Sequence, residues 1–271
     1  MAGATGLHEA LERFDGGRVV IDVADLPVKC PVAPLEFAFL ADWYFQRRGI
    51  RDRVELTYAT PLDAAFTKPV AAKALGGLLA DKGIELVAEF TLGRVDGAGG
   101  RLVSYDEREL PFDLAVVVPL HGGAEYVGRS EGLGDELGFV PVDPHTLEHI
   151  DRPEVFAIGD AAGLPASKAG SVAHFEGEVL VHNIGRFLAG QPLDASFDGH
   201  TNCFVETLYR REKHGGSRAS LRPRPLSPIR SRRTTGHRSG NTTAGSAIHR
   251  HPSLSPSPAC CWTTWAGGRT P

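Results

Sequence analysis

Two periodicities of apolar and polar residues alternate along the first two hundred positions. From Arg18 the run RVVIDVA (18–24) is continuous, apolar and rich in β-branched residues, the pattern of a strand buried on both faces. A breaker-rich loop, DLPVKCPVAP (25–34), follows. Then comes LEFAFLADWYFQRRG (35–49), with apolar residues at helical spacing, and a second strand in VELTYAT (54–60). Strand, loop, helix and strand in that order make a βαβ unit, which builds a parallel sheet. The pattern continues with a helix in AAKALGGLLADKG (71–83), a strand in IELVAEF (84–90), a polar hairpin across RVDGAGGRLVSYDERELP (94–111) and the apolar run FDLAVVVP (112–119). After a Gly-rich loop (121–138), the segment RPEVFAIGDAA (152–162) predicts a strand ending on Gly159-Asp160. A helix from about Ser171 to Leu188 follows, stopped by Gly190-Gln191-Pro192.

Composition divides the chain. Residues 211–271 hold eleven Arg or Lys and one acid, Glu212, whereas the whole chain has a formal charge of −4, so the first 210 residues carry about −14. The basic stretch lacks apolar periodicity and is dominated by Ser, Arg, Pro, Thr and Gly, so it is expected to be disordered. An out-of-frame translation accounts for it best, ahead of a linker or a nucleic-acid-binding arm, and no nucleic-acid partner is expected. No run of about 18 apolar residues occurs, and the N-terminus has no apolar leader core, so the expected location is cytoplasmic. Four cysteines, Cys30, Cys203, Cys260 and Cys261, are too few for a secreted disulfide framework; a functional pair among them would be redox-active. No metal site is expected.

The chemistry concentrates at VFAIGDAA (155–162). A glycine at a strand end lets backbone approach a ligand, a carboxylate can accept hydrogen bonds from ribityl or ribose hydroxyls, and the following helix turns its positive end toward an anion. The plainer alternative is that Asp160 caps that helix. Equally informative is the loop after the first strand. A dinucleotide-binding turn needs glycines to cradle a pyrophosphate, whereas Pro27, Pro31 and Pro34 remove N–H donors here.

The stretch EVFAIGDAAGLPASKAGSVAHFEGEVLVHNIGRFLAG (154–190) resembles the second FAD-binding motif of the two-dinucleotide-domain flavoproteins, and ASKAGSVAHFEGEVLVHNI within it resembles the sulfide:quinone oxidoreductase family. The likeness runs from residue 5 to about 207. It implies an α/β, Rossmann-like parallel sheet with helices on both faces. The implied layout is a residual linker (1–17), an NAD(P)-binding-like domain (18–120), the C-terminal part of an FAD-binding domain (121–210) and an aberrant tail (211–271). By the same resemblance FAD is the cofactor, with Gly159, Asp160, Ala161, Lys168, Ala169 and His121 around it, and the helix from Ser171 faces the ring edge. Cys30 and Cys203, the latter in HTNCFVET (200–207), would form the redox pair attacked by sulfide. Lys29 and Lys168 would stabilise thiolate or other anions, and Glu176 and His121 would serve proton transfer to quinone. The family's opening Gly-x-Gly-x-x-Gly segment has no counterpart in residues 1–17. The resemblance also implies peripheral association of a full-length parent with the inner face of a membrane. Two rivals stand beside this reading: a flavin-dependent NAD(P)H:quinone oxidoreductase with incidental cysteines, and a non-catalytic fragment.

Overall fold

The computed structural model describes residues 2–207 and 263–266; the expectation of a disordered tail otherwise falls outside the described residues. Strands β1 (Gly17–Val23), β2 (Val54–Ala59), β3 (Ile84–Val87) and β7 (Leu114–Val118) run parallel in the order β3-β2-β1-β7, and β8 (Thr263–Ala266) closes the β7 edge in the antiparallel sense. β1 and β7 lie inside the sheet, which is why their sequences are apolar runs, interrupted in β1 by Asp22: Val19 through Val23 and all of β7 are buried.

Helices α2 (Ala33–Arg47) and α3 (Pro69–Asp81) cover one face. Each carries proline in its first turn, where a missing N–H costs nothing. Leu35, Phe39, Phe45, Leu75 and Leu79 of these helices bury against Val19, Ile21, Val23, Leu56 and Val116 of the sheet. The opposite face of the same strands is covered by a three-stranded antiparallel sheet rather than by helices: β4 (Leu92–Asp96), β5 (Arg101–Ser104) and β6 (Glu109–Pro111). There Val20, Ala24, Ala59, Ala115 and Val117 meet Phe90, Leu92, Leu102 and Phe112.

Residues 2–13, expected as linker, form helix α1 (Ala2–Arg13). The reason is an apolar stripe: Leu7 is buried, and Ala10, Leu11 and Phe14 pack on the helical side of the core, with the Phe14 ring 5.8 Å from that of Phe45. Arg48 secures the junction by donating from Nη1 to the carbonyls of Leu11 and Phe14, both at 2.6 Å. A second buried charge is equally well satisfied. Asp42, on α2, accepts from Arg51 Nε at 2.7 Å, Lys82 Nζ at 2.8 Å and Gln46 Nε2 at 2.8 Å, tying α2 to the turn before β2 and to the end of α3.

Residues 121–207 add a short helix, α4 (Glu125–Arg129), and a long one, α5 (Gly170–Leu188). Val155–Ile158 does not form the expected strand. Its pairing with Leu147–His149 is too short for a ladder: a single bridge, Phe156 to Glu148, is flanked by the His149 N–H donating to the Val155 carbonyl at 2.7 Å and the Ala157 N–H donating to the Leu147 carbonyl at 3.2 Å. Asn183 of α5 is fully buried and fully bonded: its amide donates to the carbonyls of Thr146 and Asp194 (2.9 and 3.0 Å), and its oxygen accepts the Asp194 N–H at 2.8 Å. That clasp turns the chain after the helix back toward the core, where Phe197 and Val205 bury. No described helix is long and apolar enough to cross a membrane, and no cluster of metal-binding side chains occurs among the described residues.

Candidate functional site

The site forms where the loop after β1 meets the turn before α5. Lys29 and Lys168 face each other as a parallel bridge, and the Cys30 N–H donates to the Lys168 carbonyl at 2.7 Å. Cys30 adopts φ +54°, a left-handed conformation uncommon for a side chain larger than glycine. The Lys29 N–H goes to His121 Nδ1, the Cys30 N–H to the Lys168 carbonyl and the Ala33 N–H to the Cys30 carbonyl, while Pro27, Pro31 and Pro34 carry none, so the loop differs from the glycine turn that cradles a pyrophosphate.

Gly159-Asp160 lies just across from this loop. Gly159 has φ +63°, and a Cβ built on it would sit 3.2 Å from the Ala173 Cβ, so the turn presses directly on the first turns of α5. The Gly159 N–H donates to Glu176 Oε2 at 2.5 Å, and Glu176 is buried. Burial pushes its carboxyl above the ordinary glutamate value, against the opposing pull of the Gly159 N–H and of Lys168. Asp160 does not cap α5, which has no side-chain cap at Ala169. Its half-exposed carboxylate stands 3.7 Å from Lys29 Nζ. Ala161 offers its carbonyl to the Val140 N–H at 2.8 Å, and the Ala169 carbonyl accepts from Val172 and Ala173.

Lys168 is an internal pin. Its ammonium donates to the Ala162 carbonyl at 2.7 Å and sits 4.1 Å from the centre of the Phe139 ring. Burial lowers its pKa, with Asp160 and Glu176 pulling the other way. His121 accepts the Lys29 backbone N–H on Nδ1 at 2.7 Å, while its buried Nε2 has no partner. Burial, then the Lys29 ammonium, hold its pKa below the usual histidine value; Asp160 partly offsets them.

Cys203 reaches the same region from the far end of the described chain. It packs against the helical side of the core with Val28, and the segment is fastened by Glu36 Oε1, which accepts the Glu206 N–H at 2.9 Å. Both cysteines are free thiols, with Thr201 Oγ1 3.9 Å from the Cys203 sulfur. Burial raises the Cys30 pKa, and the neighbouring Cys203 and Glu36 add to the rise. Lys29, expected to favour the thiolate, pairs with Asp160 instead. The structure thus gathers Cys30, Cys203, His121, Asp160, Lys168 and Glu176 into one region. Sequence reasoning missed Glu36 and Phe139, neither of which carries a motif.

No protein-family model matches the chain. It is 29% identical over 213 residues to the mitochondrial sulfide:quinone oxidoreductase of Schizosaccharomyces pombe, covering 76% of this chain and 46% of that protein. It is 27% identical to that of Mus musculus, over 75% of this chain and 46% of the relative. The chain is similar to the sulfide:quinone oxidoreductases over about three quarters of its length. It spans about half the length of the curated relatives it matches. The sulfide:quinone oxidoreductase structure from Aquifex aeolicus superposes with a TM-score of 0.60 at 17% identity, over 74% of this chain and 50% of that one, which establishes a shared fold. The shared fold is the parallel sheet with its helices on one face and the small antiparallel sheet on the other.

Proposed function

We propose that the chain carries the electron-transfer portion of an FAD-dependent oxidoreductase that takes electrons from sulfide through Cys30 and Cys203 and delivers them to quinone. One observation supports this reading above the others: Cys30 and Cys203, far apart in sequence, lie close enough for one to influence the charge of the other, and Cys30 is tied to the region of the Gly159-Asp160 turn through the Lys29–Lys168 bridge. The residues present fit the ribityl and ring end of FAD. Asp160 offers an accessible carboxylate, Gly159 has φ +63° and would crowd a Cβ against Ala173, α5 begins without a side-chain cap, and His121 holds a buried nitrogen without a partner among the described residues.

Bound FAD would supply a two-electron acceptor. The chain's own groups then divide the work. With Cys30 and Cys203 oxidised to a disulfide, hydrosulfide attacks one sulfur, leaving a persulfide there and a thiolate on the other cysteine. Asp160, whose half-exposed carboxylate is 3.7 Å from Lys29 Nζ, would hold the ribityl hydroxyls. Glu176, held toward its protonated form by burial, can store a proton beside the Gly159 N–H. Because quinones reside in membranes, this reading carries peripheral membrane contact with it.

Titration of the full chain with FAD tests the reading. Flavin fluorescence should quench and a bound flavin band appear; anaerobic sulfide should bleach that band, Cys30→Ser should abolish the bleaching, and equimolar NADH should leave it. Failure to take up FAD would favour a non-catalytic role, and rapid bleaching by NADH would favour a nicotinamide-dependent enzyme.

A further inference from the structure

The His121 ring is oriented by a main-chain group, and the orientation fixes which nitrogen carries its proton. Nδ1 accepts the Lys29 N–H at 2.7 Å, so its lone pair is used and the proton of the neutral ring must reside on Nε2. That Nε2 is buried and has no hydrogen-bond partner among the described residues. Buried N–H groups are almost always satisfied, and an orphan at a candidate site calls for an acceptor that the described residues do not supply.

We infer that His121 is a fixed, uncharged donor that presents Nε2–H to a carbonyl oxygen of a bound conjugated ring, with the Lys29 backbone as its positioning group. This rests on the proposal that the site binds a redox-active ring. The chemistry narrows the acceptor. The charged groups facing His121 are Lys29 and Asp160, already 3.7 Å from each other, so neither demands that the imidazole be charged. An anion such as phosphate would be served by the Lys29 ammonium, and a cationic ligand offers no lone pair. A neutral carbonyl matches a neutral N–H, and both the flavin dione and a quinone carry one.

Long-range proton–nitrogen correlation spectra of the full chain labelled with 15N-histidine test this directly. His121 is assigned by the signal that vanishes in His121→Gln. The expected spectrum shows an unprotonated Nδ1 and a protonated Nε2 from pH 6 to 8. Addition of FAD or of a short-chain ubiquinone should move the Nε2 signal, and the one that moves it identifies the source of the carbonyl. His121→Leu should weaken binding of that ring about tenfold, and His121→Gln, which keeps a donor, should weaken it less. A proton on Nδ1, a doubly protonated ring at pH 7, or a bound ring that leaves the Nε2 signal unmoved overturns the inference alone. If neither ring binds, the inference falls together with the proposed function.

Discussion

Asp22 sits toward the end of the central strand, fully buried, and neither carboxyl oxygen has a hydrogen-bond partner among the described residues. Its neighbours across the ladder, Ala59 on β2 and Val117 on β7, carry no polar group in their side chains. Burial therefore pushes its carboxyl well above the ordinary aspartate range, so the folded protein holds a proton that the unfolded chain releases near pH 4. The sign of the linkage follows. Stability from this group is greatest below the unfolded pKa and falls as pH rises, by up to about 1.4 kcal/mol per pH unit, until the folded pKa is passed. Even protonated, an unpartnered buried carboxyl costs about 1–3 kcal/mol. Asp22→Val removes both penalties and places a β-branched residue of similar size in a strand, so it should stabilise the protein at pH 7 by at least about 2 kcal/mol. Asp22→Asn should remove the pH slope while keeping an unpartnered polar group. Urea unfolding of the three proteins at pH 5, 6, 7 and 8 gives the answer. The margin of Asp22→Val over wild type should widen with pH; a flat margin, or a less stable variant, would refute the reasoning.

Asp42 makes the opposite case, and Asp42→Ala, which strands the buried Lys82 ammonium, should cost about 3 kcal/mol in the same assay. Lys168→Met should cost about 1–2 kcal/mol by leaving the Ala162 carbonyl unpaired and removing the ammonium from the Phe139 ring; an unchanged urea midpoint would show that the pin is not structural. Alkylation of reduced Cys30 should accelerate with pH along a curve displaced above the ordinary cysteine value, and Cys203→Ser should move that curve down; peptide mass spectrometry of iodoacetamide-treated protein reports both.

The parallel sheet was legible because burial on two faces leaves an unmistakable trace: RVVIDVA and LAVVV read as strands, and both are. The helix α1 is equally present in the spacing of Leu7, Ala10, Leu11 and Phe14, a stripe that outweighs the missing motif. Val155–Ile158 shows the converse: local apolar character favours a strand, but its pairing with Leu147–His149 stops at one bridge, and the length of a ladder is not encoded in the apolar run itself. At the site, the Gly159-Asp160 turn could be argued from residue chemistry. The meeting of Cys30 with Cys203 rested on family resemblance alone, since nothing in the intervening sequence encodes proximity. Asp22 was hidden inside an apolar run, because the ladder neighbours that leave it unpartnered belong to distant strands.

The bridge between Lys29 and Lys168 has a consequence for synthesis. A ribosome releases Cys30 early, and β1, α2 and β2 can assemble around it from near neighbours in sequence. Its contacts with Lys168 and with Cys203 must wait until most of the described chain has emerged. The parallel strands can thus precede the chemistry, and the thiol waits beside them until its partners are translated.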